Sequence, residues 1–584
     1  MLSIRLVNGL LLASLLLGAC AVSSESSTND VGGLAQPGQP EDEPLPVVVV
    51  NSDPRVTEFV YSVLVGEIAG QRGQLPLSAN HYLRAAQLSR DPKVAERATR
   101  MALFSGIPAD GLAAARLWVE LQPQSLEAHQ VLALLLLRSG EAAAAIAEFT
   151  IVLTQIKPGQ SSEEVYGLVA TLLGREQNRE AALAIMEQLV AQAGSHQSEA
   201  LYAYSHLALR LNQPDKALAA VERVLRARPS WANALILKSR VLQAQGKTEA
   251  ALNYLREALQ TQPKDPRLRL SYARLLLELK RIAPAREQFV ILARQDPKNA
   301  DVLFALGVLY LQANQGNEAK QQFLKVVKLK QRVAEASFYL GQIAEVQTHY
   351  GEAINWYLAV KTGEQALDAQ IRVAVLLARQ GELAAARDHL QELETRDTAQ
   401  AIRLVLVDSE LLREAGRIDD ALDVLSRAID EAPGNADLLY ARAMTAERLG
   451  RLNILEDDLK LILKSDPDHV QALNALGYTL ADRTDRIQEA KGYIEQALKL
   501  RPNDFFILDS MGWVQYRLGN QAEAVRYLQQ ALTLKQDAEV AAHLGEVLWS
   551  MGNQQEARKV WRRALKVDPG ARVVIEVMDR FGEH

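Results

Sequence analysis

Residues 470–520 read VQALNALGYTLADRTDRIQEAKGYIEQALKLRPNDFFILDSMGWVQYRLGN, and this stretch decides the fold. It carries one ordered set of landmark residues, namely Leu476, Gly477, Ala490, Ala497 and Pro502. The same order begins again at Met511 and Gly512, 35 residues after the first pair. An ordered set of residues that recurs at a fixed spacing is typical of a repeat architecture.

The period extends over most of the chain. Prolines 34 residues apart stand at Pro229, Pro263 and Pro297. A second series follows at Pro433, Pro467 and Pro502, spaced by 34 and 35 residues. Alanines keep a parallel register of 34 at Ala217, Ala251, Ala285, Ala319 and Ala353. Because 584 residues exceed the roughly 250–300 that one core supports, a long repeat array is the expected organisation.

These landmarks resemble the tetratricopeptide repeat, in which each repeat is a pair of antiparallel helices. Small residues in both helices would allow close approach, and proline would end the second helix. A leucine or aromatic residue of the second helix is expected to fill the gap against the next repeat. The resemblance implies an all-α fold, a right-handed α-α superhelical solenoid of about 14–15 repeats. We expect irregular repeats over 55–123, the regular solenoid over 124–569 and a capping helix over 570–584.

The amino terminus predicts a lipoprotein. Residues 1–19 contain Arg5 and then an apolar run from Leu10 to Leu17, which is the pattern of a secretion signal and too short to span a bilayer. The following Leu-Gly-Ala-Cys resembles the lipobox, with Cys20, the only cysteine of the chain, as the lipid-attachment residue. Residue 21 is alanine, not the aspartate of inner-membrane retention. We therefore expect a lipid-anchored protein of the outer membrane, facing the periplasm.

Residues 20–54 are predicted to be a disordered tether. Between Cys20 and Arg55 there are six acidic residues and no basic one, in a context rich in serine and proline. Low hydrophobicity combined with charge of one sign favours disorder. About 32 flexible residues would reach roughly 30–35 Å.

Several functional classes are disfavoured by composition and motifs. The net charge is −6 and no basic stripe is visible, so we expect no nucleic-acid binding. A single cysteine and scattered histidines predict no metal site and no cofactor. The sequence contains no GxxxxGK[ST], GxSxG or HExxH motif, so we expect no catalytic residue, no small-molecule substrate and no enzyme activity.

The likeness to tetratricopeptide repeats implies a protein-binding groove along the first helices. Ligand contacts in that family come from residues that flank the glycine position. The candidates in the last repeats are Asn474, Tyr478, Phe506, Asp509, Trp513, Tyr516, Glu546 and Trp549. Exposed aromatic side chains are frequent binding hot spots. For Trp513, Tyr516 and Trp549 packing between repeats is an equally good interpretation, and Trp561 is expected in the core.

Two segments resemble one group of Gram-negative repeat lipoproteins. They are Gly66–Ala98 and Asn474–Asn553. That group includes the adaptor that binds a periplasmic carboxy-terminal processing protease and presents cell-wall hydrolases to it. The resemblance implies such an adaptor, whose partners would be the protease and peptidoglycan hydrolases. The alternative is a scaffold for outer-membrane assembly, polysaccharide export or pilus biogenesis. Sequence does not separate the two, and it identifies neither the partners nor the oligomeric state.

Overall fold

The computed structural model describes residues 53–105, 108–155 and 159–583. The predictions for the signal segment, Cys20 and most of the acidic tether lie outside these residues. Over the described ranges the chain is entirely helical, with 31 α-helices, one 3₁₀ turn (Gly194–His196) and no strand. In that part of the chain each helix is too short or too polar to cross a bilayer.

Helices α1–α16 cover the first half of the chain. Their bounds are Pro54–Gln71, Leu75–Ser89, Pro92–Ser105, Pro108–Leu121, Leu126–Arg138, Ala142–Thr154, Ser162–Leu173, Arg179–Gln192, Gln197–Arg210, Pro214–Ala227, Ala232–Ala244, Thr248–Thr261, Pro266–Glu278, Ile282–Gln295, Ala300–Gln312 and Gly316–Lys328.

Helices α17–α31 cover the second half. Their bounds are Val333–Val346, Tyr350–Leu358, Ala366–Arg379, Leu383–Gln391, Thr398–Glu414, Ile418–Glu431, Ala436–Arg448, Leu452–Ser465, Val470–Arg483, Ile487–Leu500, Phe505–Arg517, Gln521–Leu534, Ala538–Ser550, Gln554–Val567 and Arg572–Arg580. Taken in order, the first thirty described helices make fifteen pairs. We call the odd-numbered member of each pair the A helix and the even-numbered member the B helix.

Residues at the helix ends explain where the helices begin and stop. A helices commonly start after an Asn, Asp or Ser whose side chain accepts a hydrogen bond from a backbone N–H of the first turn, as Asn299 does from Val302 and Asp265 does from Leu268. The B helix α10 ends at Ala227, two residues before Pro229, as the proline register predicts. The chain between A and B helices turns through a residue with positive φ, which is Gly246 after α11 and Gly450 after α23.

Glycine on an A helix allows its B helix to approach. A Cβ placed on Gly545 would lie 1.9 Å from Nε1 of Trp561, and one on Gly512 would lie 2.6 Å from Leu528. These partners belong to the B helix of the same repeat. The expectation that this residue fills the gap against the next repeat is therefore incomplete, since its main role here is to occupy the notch left by its own glycine.

The described chain divides into two compact bodies, one up to Gln322 and one from Phe323 onward. The division falls inside α16. Each body has its own apolar clusters, such as the one around Phe149, Leu173 and Met186 in the first body. In the second body Ala571, Val574 and Val577 of the terminal helix segment join the cluster around Trp561. The last apolar face is thereby covered, as a repeat array requires.

Candidate protein-binding faces on the A helices

The buried small residue near the middle of each A helix sets the register of the candidate site. In the last three repeats this residue is Gly477, Gly512 or Gly545, and it faces the B helix. The next residue along the helix therefore points away from the B helix of the same repeat. In these repeats the next residues are Tyr478, Trp513 and Glu546, which are three of the predicted groove residues.

Three predicted residues meet around a histidine that the sequence analysis did not single out. The two carboxylate oxygens of Asp509 lie 2.9 and 3.1 Å from Nδ1 of His543. The hydroxyl of Tyr478 lies 3.4 Å from its Nε2. The indole of Trp513 stacks on the imidazole, with centroids 4.5 Å apart and planes at 29°. We call Tyr478, Asp509, Trp513 and His543 the His543 cluster; it joins α25, α27 and α29.

Further carboxylates surround this cluster. Nε1 of Trp513 donates a hydrogen bond of 3.2 Å to Oδ1 of Asp482, and Glu539 lies one turn before His543 on α29. Burial disfavours the imidazolium, but attraction to Asp509, Glu539 and Glu546 outweighs burial and raises the pKa of His543. Burial also raises the pKa of Glu539. The A-helix face of the last repeats is thus acidic and partly aromatic.

One polar atom on this face lacks a partner. Oδ1 of Asn474 is inaccessible to solvent and accepts no hydrogen bond from any described residue. An unsatisfied buried acceptor costs roughly 1–3 kcal/mol, which a donor from a bound ligand would recover. Asn474 stands on α25 one turn before Tyr478, so it borders the His543 cluster.

The remaining predicted residues have other surroundings. Tyr516 packs beside Trp513, with centroids 5.2 Å apart. Phe506 is 54% exposed at the start of α27, next to Phe505 and the Lys535 ammonium. Trp513 is only 8% exposed, so packing accounts for most of its surface.

The terminal helix engages the other two predicted residues. Nη1 of Arg580 donates a hydrogen bond of 3.1 Å to Oε2 of Glu546. The ring of Phe581 lies 5.4 Å from that of Trp549, which also packs at 5.8 Å from the buried Trp561. For Trp549 the contacts are therefore those of a packing residue.

The Asp509–His543–Tyr478 arrangement has the order acid, imidazole, hydroxyl. A nucleophilic hydroxyl needs a lowered pKa or a base that takes its proton. Here burial and the nearby carboxylates of Asp482, Glu539 and Asp509 raise the pKa of Tyr478 instead. Among the described residues no group of three or more His, Cys, Asp or Glu side chains is arranged to hold a metal ion. The arrangement therefore favours recognition rather than chemistry.

A second candidate face lies in the first body and was missed by the sequence analysis. The small residues Ser205 and Ser239 of α9 and α11 are buried, and they are followed by His206 and Arg240. Arg274 continues this row on α13, again 34 residues further along. The signal was available, because the glycine-flanking rule applies equally here. It was overlooked because aromatic residues directed attention to the last repeats.

A cavity opens along this row. A space of about 520 Å³ lies between α7 and α9, and a space of about 240 Å³ continues it across α11 and α13. The two share Tyr202 and His206 in their walls. Arg210 lies in the first part, and Arg240 and Arg267 line the second.

Comparison with known proteins agrees with this architecture. Profiles of the tetratricopeptide repeat match residues 168–232, 242–294, 304–366, 409–453, 470–504 and 510–572. The TPR repeat-containing protein PA4667 of Pseudomonas aeruginosa is 35% identical over 489 residues, which are 84% of this chain and 82% of that protein. The chain belongs to the tetratricopeptide-repeat family. The predicted all-α solenoid of tetratricopeptide repeats is confirmed.

More distant similarities cover less of their proteins. The human protein O-mannosyl-transferase TMTC3 is 22% identical over 68% of this chain but only 42% of its own length. Among solved structures, the tetratricopeptide-repeat protein TTC0263 of Thermus thermophilus is 26% identical over 30% of this chain and 97% of its own, with a TM-score of 0.28. The pilF protein of Pseudomonas aeruginosa is 19% identical over 38% of this chain and 99% of its own, also with a TM-score of 0.28.

Proposed function

We propose that this tetratricopeptide-repeat protein is a protein-binding scaffold without catalytic activity, held at the outer membrane by a lipid on Cys20 and facing the periplasm. The observation that carries the binding role is the A-helix face of the last repeats. It combines an unpartnered buried acceptor on Asn474, the His543 cluster and the exposed ring of Phe506. An apolar and aromatic surface with a few placed polar groups is suited to bind an extended segment of another protein.

The finer proposal is an adaptor for a periplasmic carboxy-terminal processing protease, to which the scaffold presents peptidoglycan hydrolases. Its support is the resemblance of Gly66–Ala98 and Asn474–Asn553 to the lipoprotein group that contains such an adaptor. An adaptor needs one surface for the protease and another for the substrate. The two candidate faces, one acidic and one cationic, are compatible with two different partners.

The test is a cross-linked pull-down of the detergent-solubilised protein from its own envelope, read by mass spectrometry. The adaptor role predicts recovery of a carboxy-terminal processing protease together with cell-wall hydrolases, and longer hydrolase lifetimes when the scaffold is deleted. Recovery of an export, assembly or pilus pore without a protease would overturn the adaptor role and favour the structural scaffold.

A variant pair tests whether the A-helix face is responsible. Tyr516→Ala removes a half-buried ring beside Trp513 on α27. Tyr493→Ala removes a half-buried ring from the B helix α26 of the preceding repeat. Loss of the captured partners with the first variant and retention with the second is expected. Equal capture by both variants would place the binding surface elsewhere.

A further inference from the structure

The row formed by His206, Arg240 and Arg274 is the second feature of this molecule that calls for a ligand. The three residues occupy one position of three consecutive A helices and are exposed. His206 and Arg240 line the cavity that runs across α7, α9, α11 and α13. Arg210 adds a fourth basic side chain one turn beyond His206, where it lies across the end of α7 against Gly174.

Few acids are left to neutralise these cations. In the described chain no carboxylate is placed to form an ion pair with Arg210, Arg240 or Arg274. The two acids in the cavity wall have other partners, since Glu163 accepts a hydrogen bond of 3.0 Å from Asn233 and Glu164 completes the capping box with Ser161. Arginines elsewhere in this body are paired, as Arg138 is with Glu176 at 2.8 Å.

The electrostatic effect of this arrangement is visible at the histidine. The enclosing protein and the guanidinium groups of Arg240 and Arg210 lower the pKa of His206. The groups that face His206 from its own helix and from α11 therefore exclude further positive charge. A bound carboxylate would reverse that effect and favour the imidazolium.

The floor between the cations is apolar. Ile236 and Leu270 lie in the cavity wall between Tyr202 and the arginines. Tyr202 in turn packs on Trp231, with ring centroids 4.9 Å apart. A strip of apolar and aromatic surface edged by guanidinium groups fits a peptide in which carboxylates alternate with apolar side chains. A nucleic acid would require many more phosphate contacts than this short row supplies.

We propose that the cavity along α7, α9, α11 and α13 binds an acidic peptide segment of a partner protein, with Arg210, Arg240 and Arg274 as its carboxylate-binding residues. This proposal rests on the proposed protein-binding function and adds the chemical class of one partner. The segment lies along the A-helix face in extended form, its carboxylates toward the arginine row and its apolar side chains on Ile236 and Leu270.

The experiment measures binding of a short fluorescent peptide of alternating glutamate and leucine to the full-length protein in detergent, by fluorescence anisotropy. The double variant Arg240→Gln/Arg274→Gln is expected to weaken binding by about tenfold or more, since a charge-assisted hydrogen bond contributes about 1.5–3 kcal/mol. The matched control Arg223→Gln/Arg256→Gln removes the same charge from exposed positions of the B helices α10 and α12 and is expected to bind as the parent does.

Three results would overturn the proposal. They are equal loss in both double variants, equal binding of a peptide with glutamine in place of glutamate, and binding of a single-stranded oligonucleotide in the cavity with no binding of the acidic peptide. Circular dichroism of each variant establishes that it is folded. If the acidic peptide fails while the envelope pull-down still captures partners, the inference fails and the scaffold function stands.

Discussion

Single residues set the distance between the helices of a repeat. Gly545 is the clearest case, because Trp561 is fully buried and its indole occupies the space where a Cβ would stand. The pattern of glycine on the A helix and a large residue on the B helix is visible in the sequence. The size of the conflict is not, since it depends on the interhelical distance.

Gly545→Ala is expected to destabilise the last repeat by about 1–3 kcal/mol, the usual range for overpacking, because the buried Trp561 has no space to move into. The measurement is native-state hydrogen exchange of α29 and α30. Gly492→Ala is the matched control, because Gly492 is exposed on α26 and a Cβ there meets nothing within 4 Å. The control should gain up to about 1 kcal/mol from helix propensity. Equal exchange in the two variants would contradict the notch interpretation.

At the scale of elements, the turn between A and B helices repeats as faithfully as the helices do. Residues with positive φ stand at Asn212, Gly246, Lys280, Asn314 and Thr348, each 34 residues after the last. Glycine takes this conformation without strain, asparagine takes it more easily than most residues, and a β-branched threonine is strained there. The turn between α17 and α18 is therefore less stable than it could be.

Thr348→Gly is expected to stabilise the α17–α18 pair by about 0.5–1 kcal/mol, because it relieves left-handed strain at an exposed position with φ of 60°. Thr348→Ala keeps the Cβ and should gain little. Slower hydrogen exchange in α17 and α18 with glycine alone is the predicted outcome. A gain of the same size with alanine would show that loss of the threonine side chain, not backbone strain, is responsible.

The His543 cluster ties three A helices together and makes their stability depend on pH. The pKa of His543 is raised in the folded chain, so its contribution is fully present below the unfolded value of about 6.5 and is lost as pH rises through the folded pKa. Burial raises the pKa of Glu539 and acts in the same direction. We therefore compare variants rather than absolute stabilities.

His543→Gln should remove most of the decline in protection of α27 and α29 between slightly acidic and alkaline pH. The measurement is hydrogen exchange corrected for the intrinsic pH dependence of the exchange rate. His349→Gln changes an exposed histidine in the same body and should leave the decline unchanged. An unchanged decline in His543→Gln would assign it to the carboxyl groups instead.

At the scale of the whole molecule, the chain consists of two bodies of stacked repeats, and each carries its own A-helix face of distinct charge. Repeats contact mainly their neighbours, so separate stretches can hold separate partners. The proposed lipid on Cys20 would confine both faces to the membrane surface and raise the local concentration of partners there.

Cys20→Ser is expected to move the protein from the outer-membrane fraction to the soluble fraction, or to leave it as uncleaved precursor, because several acyl chains are needed for stable anchoring. Fractionation of envelopes followed by mass analysis of the amino terminus is the measurement. Ser23→Ala, three residues downstream, should fractionate as the parent does. Membrane retention of Cys20→Ser would contradict the anchor.

The period of 34 residues, the proline stops and the small residues determined the tetratricopeptide fold by themselves, because these are local requirements of chain geometry and close approach. The flanking rule also found Tyr478, Asp509 and Trp513. Only tertiary structure brought His543 to them from another repeat and turned Trp549 toward Phe581 of the terminal helix. It also showed that His206 and Arg240 border one cavity. Stacking places residues 34 positions apart side by side, and which of them face open space depends on how neighbouring helices pack.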